Sequence, residues 1–184
     1  MAIATELTRH PYYEEISRLF YNYRLAQLNR RYYAVLLERE KRRNFWVQLF
    51  VSLSTVLAFA LFSLGPSFTD LTVTFGRVAA LLSALAFVLS VAAPVFGWSQ
   101  KIDEITTRIH AWHYAERQLE SALRFVNHSA ESKREADLQV RFADEAFRTA
   151  DNLPDTGKQD MELTKTLRQE VETAFPQDYV WKAL

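Results

Sequence analysis

His110 and His113 stand three residues apart, a spacing that puts both imidazoles on one face of a helix and allows a metal to bridge them. They flank Trp112, and no carboxylate or third ligand is arranged with them, so no metal centre is expected. The chain's four glycines, at 65, 76, 97 and 157, are too scattered to form a phosphate-cradling loop. No serine sits in a nucleophile elbow, and no helix carries the histidine–glutamate pattern of a zinc hydrolase. Absence of cysteine removes thiolate chemistry, disulfides and cysteine metal sites, and fits a reducing compartment. Glu14 and Glu15 suit the first turn of a helix, where the dipole favours acid, better than catalysis. Six tyrosines, Tyr12, Tyr13, Tyr21, Tyr23, Tyr32 and Tyr33, could stack on a base or ring; packing, with their hydroxyls reaching water, is the simpler expectation. Lys and Arg balance Asp and Glu at 22 each, which leaves no basic surplus for nucleic acid. The residues therefore predict a protein that is not an enzyme and holds no cofactor.

What the sequence does contain is a pair of apolar rods. Residues 45–64 are twenty positions without a formal charge, and residues 78–98 are twenty-one more. At about 1.5 Å rise per residue, each is long enough to cross a hydrocarbon core of roughly 30 Å as a helix. The connection 65–77 opens on Gly65-Pro66 and carries only Asp70 and Arg77 as charges. Two spans joined so closely must run antiparallel. Arg30, Arg31, Arg39, Lys41, Arg42 and Arg43 precede the first span, and Lys101, Arg108 and Arg117 follow the second. Positive residues stay on the cytoplasmic side, so a multi-pass inner-membrane protein with both termini cytoplasmic is expected. Trp46 and Trp98 sit at the matching interface. No cleavable leader is expected, because the first apolar run begins only at residue 45.

Within the spans, Gln48, Ser52 and Thr55 make one polar strip. Gly76, Ala79, Ser83, Ala86, Ser90, Ala93 and Gly97 line one face of the second rod at spacings of three and four. Lipid tails are as apolar as leucine, so helices associate in a bilayer by close packing, which small residues permit. That face can pack on the first span of the same chain, or between subunits with the serines and the Gln48 strip beside a polar path. Pro94 frees a carbonyl near Ser90 and is a candidate hinge.

The chain as a whole is expected to fall into three stretches: a cytoplasmic amphipathic helix within residues 1–44, the hairpin at 45–98, and a cytoplasmic helical region over 99–184. Pro11 suits the start of the first helix, which meets no Gly or Pro before Asn44 and should run straight into the span. Ile16, Leu19, Tyr23 and Ala26 form its stripe, continued by Tyr32, Tyr33, Leu36 and Leu37. After Trp98 a helix should continue outward, with Ile102, Ile105, Ile109, Trp112, Leu119, Leu123 and Val126 repeating at three and four and Glu116 interrupting. This coiled-coil-like seam can meet the first helix or a neighbouring subunit. Ser132 and Glu135 have capping-box spacing ahead of a helix with Ala136, Val140, Ala143, Phe147 and Ala150 on its apolar face. A turn follows at 152–157, then a helix with Met161, Leu167, Val171 and Ala174, and a tail containing Tyr179, Val180, Trp181 and Leu184. The tail should pack back on the helices, with partner docking as the lesser option.

An aromatic, arginine-rich helix over residues 12–43, a two-span hairpin and a long helix with the Ile102–Val126 seam together resemble the SLATT family, two-transmembrane effectors of bacterial conflict systems. The resemblance rests on layout and residue character, not on a diagnostic motif. It implies an all-α membrane protein that forms homo-oligomers and permeabilises the inner membrane when triggered in antiphage defence. It also implies a nucleotide-signalling or sensor protein encoded nearby as partner. The competing expectation is a non-conducting anchor whose helical region recruits a soluble protein.

Overall fold

A computed structural model describes residues 13–64, 72–95, 98–128, 133–154 and 159–176, with side-chain surroundings for all of these except 13, 61–64, 72–73, 75, 89–95, 98, 127–128 and 133. Among them are five helices and no strand: α1 Tyr13–Leu64, α2 Thr72–Val95, α3 Trp98–His128, α4 Lys133–Asp151 and α5 Met161–Ala174. The protein is all-α. Tyr12, the residue Ser132 of the expected cap, and the 178–184 tail with Trp181 lie outside the described residues.

α1 is one helix of 52 residues because nothing in it breaks the hydrogen-bond ladder: no Gly or Pro occurs from residue 13 to 64, and Glu14 and Glu15 occupy its first turn. Its run from the amphipathic segment into the first apolar stretch is as expected. α2 starts at Thr72, so the helix takes in Gly76 and Arg77 ahead of the charge-free run from residue 78; a charge outside the apolar run does not interrupt a backbone ladder. α2 ends at Val95, directly after Pro94, and α3 starts at Trp98, with residues 96–97 outside the description. The expected continuation of the second rod through Gly97 falls on residues outside the description. Among the described residues no helix is long and apolar enough to cross a membrane. The described side chains of the first apolar run end at Ala60 and those of the second at Val88, so neither run is covered over its full length.

The chain divides into two compact units. Unit 1 is Met1–Leu36 with Glu104–Leu184, and unit 2 is Leu37–Asp103.

In unit 1 the core is a helical bundle. Ile16, Leu19, Tyr23, Ala26, Tyr32 and Tyr33 of α1 are buried, as are Ile105, Trp112, Leu119, Leu123 and Val126 of α3. Burying an aliphatic side chain of this size stabilises by about 1.5–3 kcal/mol. α4 brings Ala136, Val140, Ala143, Ala146 and Ala150 to the core, and Phe147 meets Trp112 edge-on at 5.5 Å. α5 contributes only Leu167 and Val171. Met161, expected on that face, is exposed. It lies six positions from Leu167, which at 100° per residue is about 120° round the helix. Ala174 is also exposed, in the last turn. Asp160 caps α5: its carboxylate accepts from the Leu163 N–H at 3.1 Å, and its own N–H donates to the Tyr32 hydroxyl at 3.0 Å. Exposed ion pairs add little to this core: Arg18–Asp144 at 2.8 Å ties α1 to α4, and Arg24–Glu172 at 3.5 Å ties α1 to α5.

In unit 2 the second part of α1 and helix α2 bury small residues, Ser54 and Ala58 on one and Ala79 and Ala86 on the other.

Candidate functional site

Two features stand out, one in each unit. In unit 1 Glu116, the residue that interrupts the seam, is 7% exposed and does not point to solvent. Gln27 Nε2 of α1 donates to Glu116 Oε1 and also reaches the Tyr23 hydroxyl at 3.2 Å. Arg30 Nη1 lies 2.7 Å from Glu116 Oε2 as an ion pair, although its angle does not make an aligned hydrogen bond. The same guanidinium nitrogen is 3.3 Å from His113 Nδ1. About two turns earlier on α3, Arg108, also buried, donates to the Tyr33 hydroxyl and to the Leu153 carbonyl at 3.1 Å. Its guanidinium carbon stands 5.0 Å from the Tyr33 ring centre.

The network explains why an acid is tolerated on a seam. A buried carboxylate without partners costs several kcal/mol, and here one is supplied with an amide and a guanidinium from the facing helix. It also corrects the tyrosine expectation. Tyr23, Tyr32 and Tyr33 are packing residues, but their hydroxyls accept hydrogen bonds inside the bundle instead of reaching water. Tyr21 alone of the described set is well exposed. No arrangement of nucleophile, base and oxyanion donor accompanies the cluster. Its chemistry is that of a register lock: the charges meet only when α1 and α3 pair in one alignment.

His113 faces this cluster, whereas His110 is exposed. Among the described residues no group of three potential ligands is placed to hold a metal ion. Of the seam residues, Ile105, Trp112, Leu119, Leu123 and Val126 are buried and Ile109 half-buried within unit 1. Ile102 is half-buried and belongs to unit 2.

The second feature is the inverted surface of unit 2. Ser54 is 3% exposed and Ala58 5%, whereas Phe59 is 73% and Leu81 71% exposed. Thirteen large apolar residues of this unit are exposed, from Phe45 to Phe59 on α1 and from Val78 to Val88 on α2. At roughly 1 kcal/mol each for partial exposure, the unit by itself forgoes on the order of 10 kcal/mol of apolar burial. That is on the scale of the whole stability of an ordinary domain, and an apolar surface of this extent is uncommon on a water-exposed unit.

The small-residue face divides on this unit. Ala79 and Ala86 are buried, while Gly76 and Ser83 are exposed, and nothing lies within 4 Å of where a Cβ on Gly76 would stand. Gln48, Ser52 and Thr55 are all exposed, and Thr55 Oγ1 donates to the Val51 carbonyl at 2.9 Å. The surroundings of Ser90, Ala93, Pro94 and Gly97 lie outside the described residues. Sequence reasoning missed Ser54, which is next to Thr55 in the chain but about 100° round the helix from it, and is buried where Thr55 is exposed.

Compared with family models, curated proteins and solved structures, the chain matches none.

Proposed function

We propose that the chain is a two-span membrane effector. Residues 45–98 lie in the bacterial inner membrane with both termini cytoplasmic, and several copies assemble to permeabilise that membrane when triggered in antiphage defence. The observation that carries the reading is the inversion of unit 2, with serine and alanine inside and phenylalanine and leucine outside. In water this arrangement is heavily penalised; in hydrocarbon it is the stable one, because small residues give close helix contact and large ones meet lipid. The uncharged runs of 20 and 21 residues extend past the described side chains and over their whole length suffice for a span each.

Assembly is part of the proposal because two helices enclose no water path. Gly76 and Ser83 are exposed small positions, and Gln48, Ser52 and Thr55 exposed polar ones, on the surface such an assembly would use. Apolar side chains would hold a closed path dry by excluding water. The resemblance to the SLATT family supports the permeabilising role and a sensor partner. One observation favours a non-conducting anchor instead: most of the described outward face is large and apolar, which serves lipid alone.

The test is to express the full chain alone and with its genomic neighbours, follow membrane potential with a dye, and count subunits in mild detergent. Rings of four or more with triggered depolarisation support the effector. A monomer or dimer that never depolarises membranes, though inserted, overturns it in favour of the anchor. Protein that stays in solution without detergent overturns both.

A further inference from the structure

We infer that Lys41, Arg42 and Arg43, with Trp46 beside them, bind the headgroups of anionic phospholipids; this deepens the membrane reading and rests on it. Three consecutive cations on a helix at 100° per residue span about 200° of its circumference, so they form a collar and not a stripe. From Arg43 to Phe45, where the apolar run begins, is about 3 Å of helix rise, and from Lys41 about 6 Å. Side chains as long as these reach phosphate level from there.

Lys41 and Arg42 carry the most accessible of these charges. Lys41 is exposed and makes no ion pair among the described residues. Arg42 meets Glu38 at 3.4 Å with both side chains 73% exposed, a contact worth little in water. Glu40 is engaged by Lys101 at 2.6 Å and lies 3.9 Å from Arg43. Lys101, from the other end of the hairpin, thus offsets that carboxylate's charge. Trp46 is exposed and stands edge-on to Phe45 at 5.8 Å, an aromatic pair at the level where indole N–H groups meet headgroups. Acidic lipid is the occupant that matches: a dispersed negative surface, met by a ring of cations with no enclosing pocket. All of these residues belong to unit 2.

The full chain is reconstituted into vesicles of phosphatidylcholine with a minority of phosphatidylglycerol, cut out in polymer-bounded discs, and the lipids around it are counted. Phosphatidylglycerol should be enriched about twofold or more over the bulk at low salt, and the excess should shrink as salt rises. Lys41→Gln/Arg42→Gln/Arg43→Gln should bring the ratio to bulk while remaining in the alkali-resistant membrane fraction. The charge-matched control Arg134→Gln/Arg141→Gln/Arg148→Gln, on exposed positions of α4, should keep it. Bulk composition around inserted wild type, or an enrichment untouched by the collar variant, overturns the inference and leaves the membrane reading standing. Loss of the enrichment on adding soluble glycerol phosphate overturns it too, because the site then recognises free phosphate and not a surface. Wild type missing from the membrane fraction sinks the inference together with the reading beneath it.

Discussion

Gln27 and Glu116 stand 89 residues apart in the chain and are hydrogen-bonded to each other inside unit 1. Their pairing converts an acid that breaks an apolar repeat into the residue that fixes how α1 and α3 align. Arg30 closes the arrangement from the same helix as Gln27, 2.7 Å from the other carboxylate oxygen.

Removing one member should cost more than removing the pair. Glu116→Ala leaves Gln27 and Arg30 facing an apolar seam and should destabilise by about 2–3 kcal/mol, with Arg30 recovering part of its hydration because it is only partly buried. Gln27→Leu/Glu116→Leu should lie closer to wild type than the sum of its single changes. A double-mutant cycle read by thermal unfolding of the helical signal decides it; strict additivity would rule out the coupling.

The seam leucines should be the costliest single truncations. Leu119 and Leu123 are fully buried, so Leu119→Ala or Leu123→Ala should lose about 2–5 kcal/mol, cavity included. Leu138 on α4 is exposed, and Leu138→Ala should change stability by less than about 0.5 kcal/mol. Equal shifts in melting temperature for Leu119→Ala and Leu138→Ala would mean the bundle is packed some other way.

Asp160 has two separable jobs. Asp160→Ala removes the carboxylate that accepts from Leu163 and should cost about 1 kcal/mol, whereas Asp160→Asn should cost a few tenths at most. Tyr32→Phe keeps the cap but leaves the Asp160 N–H without its hydroxyl acceptor. Faster amide exchange at Asp160 in Tyr32→Phe, with the first turn of α5 intact, is the expected signature.

In unit 2, size should matter at the buried small residues and not at their exposed neighbours. Ala58→Leu or Ala86→Leu should destabilise the helix pair by about 1–3 kcal/mol through overpacking. Ser83→Leu should leave it intact, because Ser83 faces outward. If detergent unfolding shows Ser83→Leu breaking the pair while Ala86→Leu does not, the contact face is misassigned. If Ser83→Leu lowers subunit number alone, that face lies between copies.

Much of this was legible because period and composition act locally. The α1 stripe from Ile16 to Ala26, the α3 seam and the alanine face of α4 follow from spacing, and all are buried but Ile102 and Ile109 of the seam, which are half-buried. The ends of elements were less legible. α2 starts at Thr72, inside the 65–77 connection, where no residue type marks the start. Met161 was misread because a short helix offers too few residues to fix the direction of its apolar face.

Sequence alone determined that the chain is helical, that α1 runs unbroken past residue 44, and that large apolar side chains crowd two charge-free stretches. Those properties need only neighbours along the chain. Tertiary structure decided which polar groups are satisfied indoors: that Glu116 meets Gln27, that Arg108 meets Tyr33, and that Ser54 is packed while Ser52 is not. Such pairings depend on how one helix is rotated against another, and a few tens of degrees, invisible to spacing, separate a buried contact from an exposed side chain.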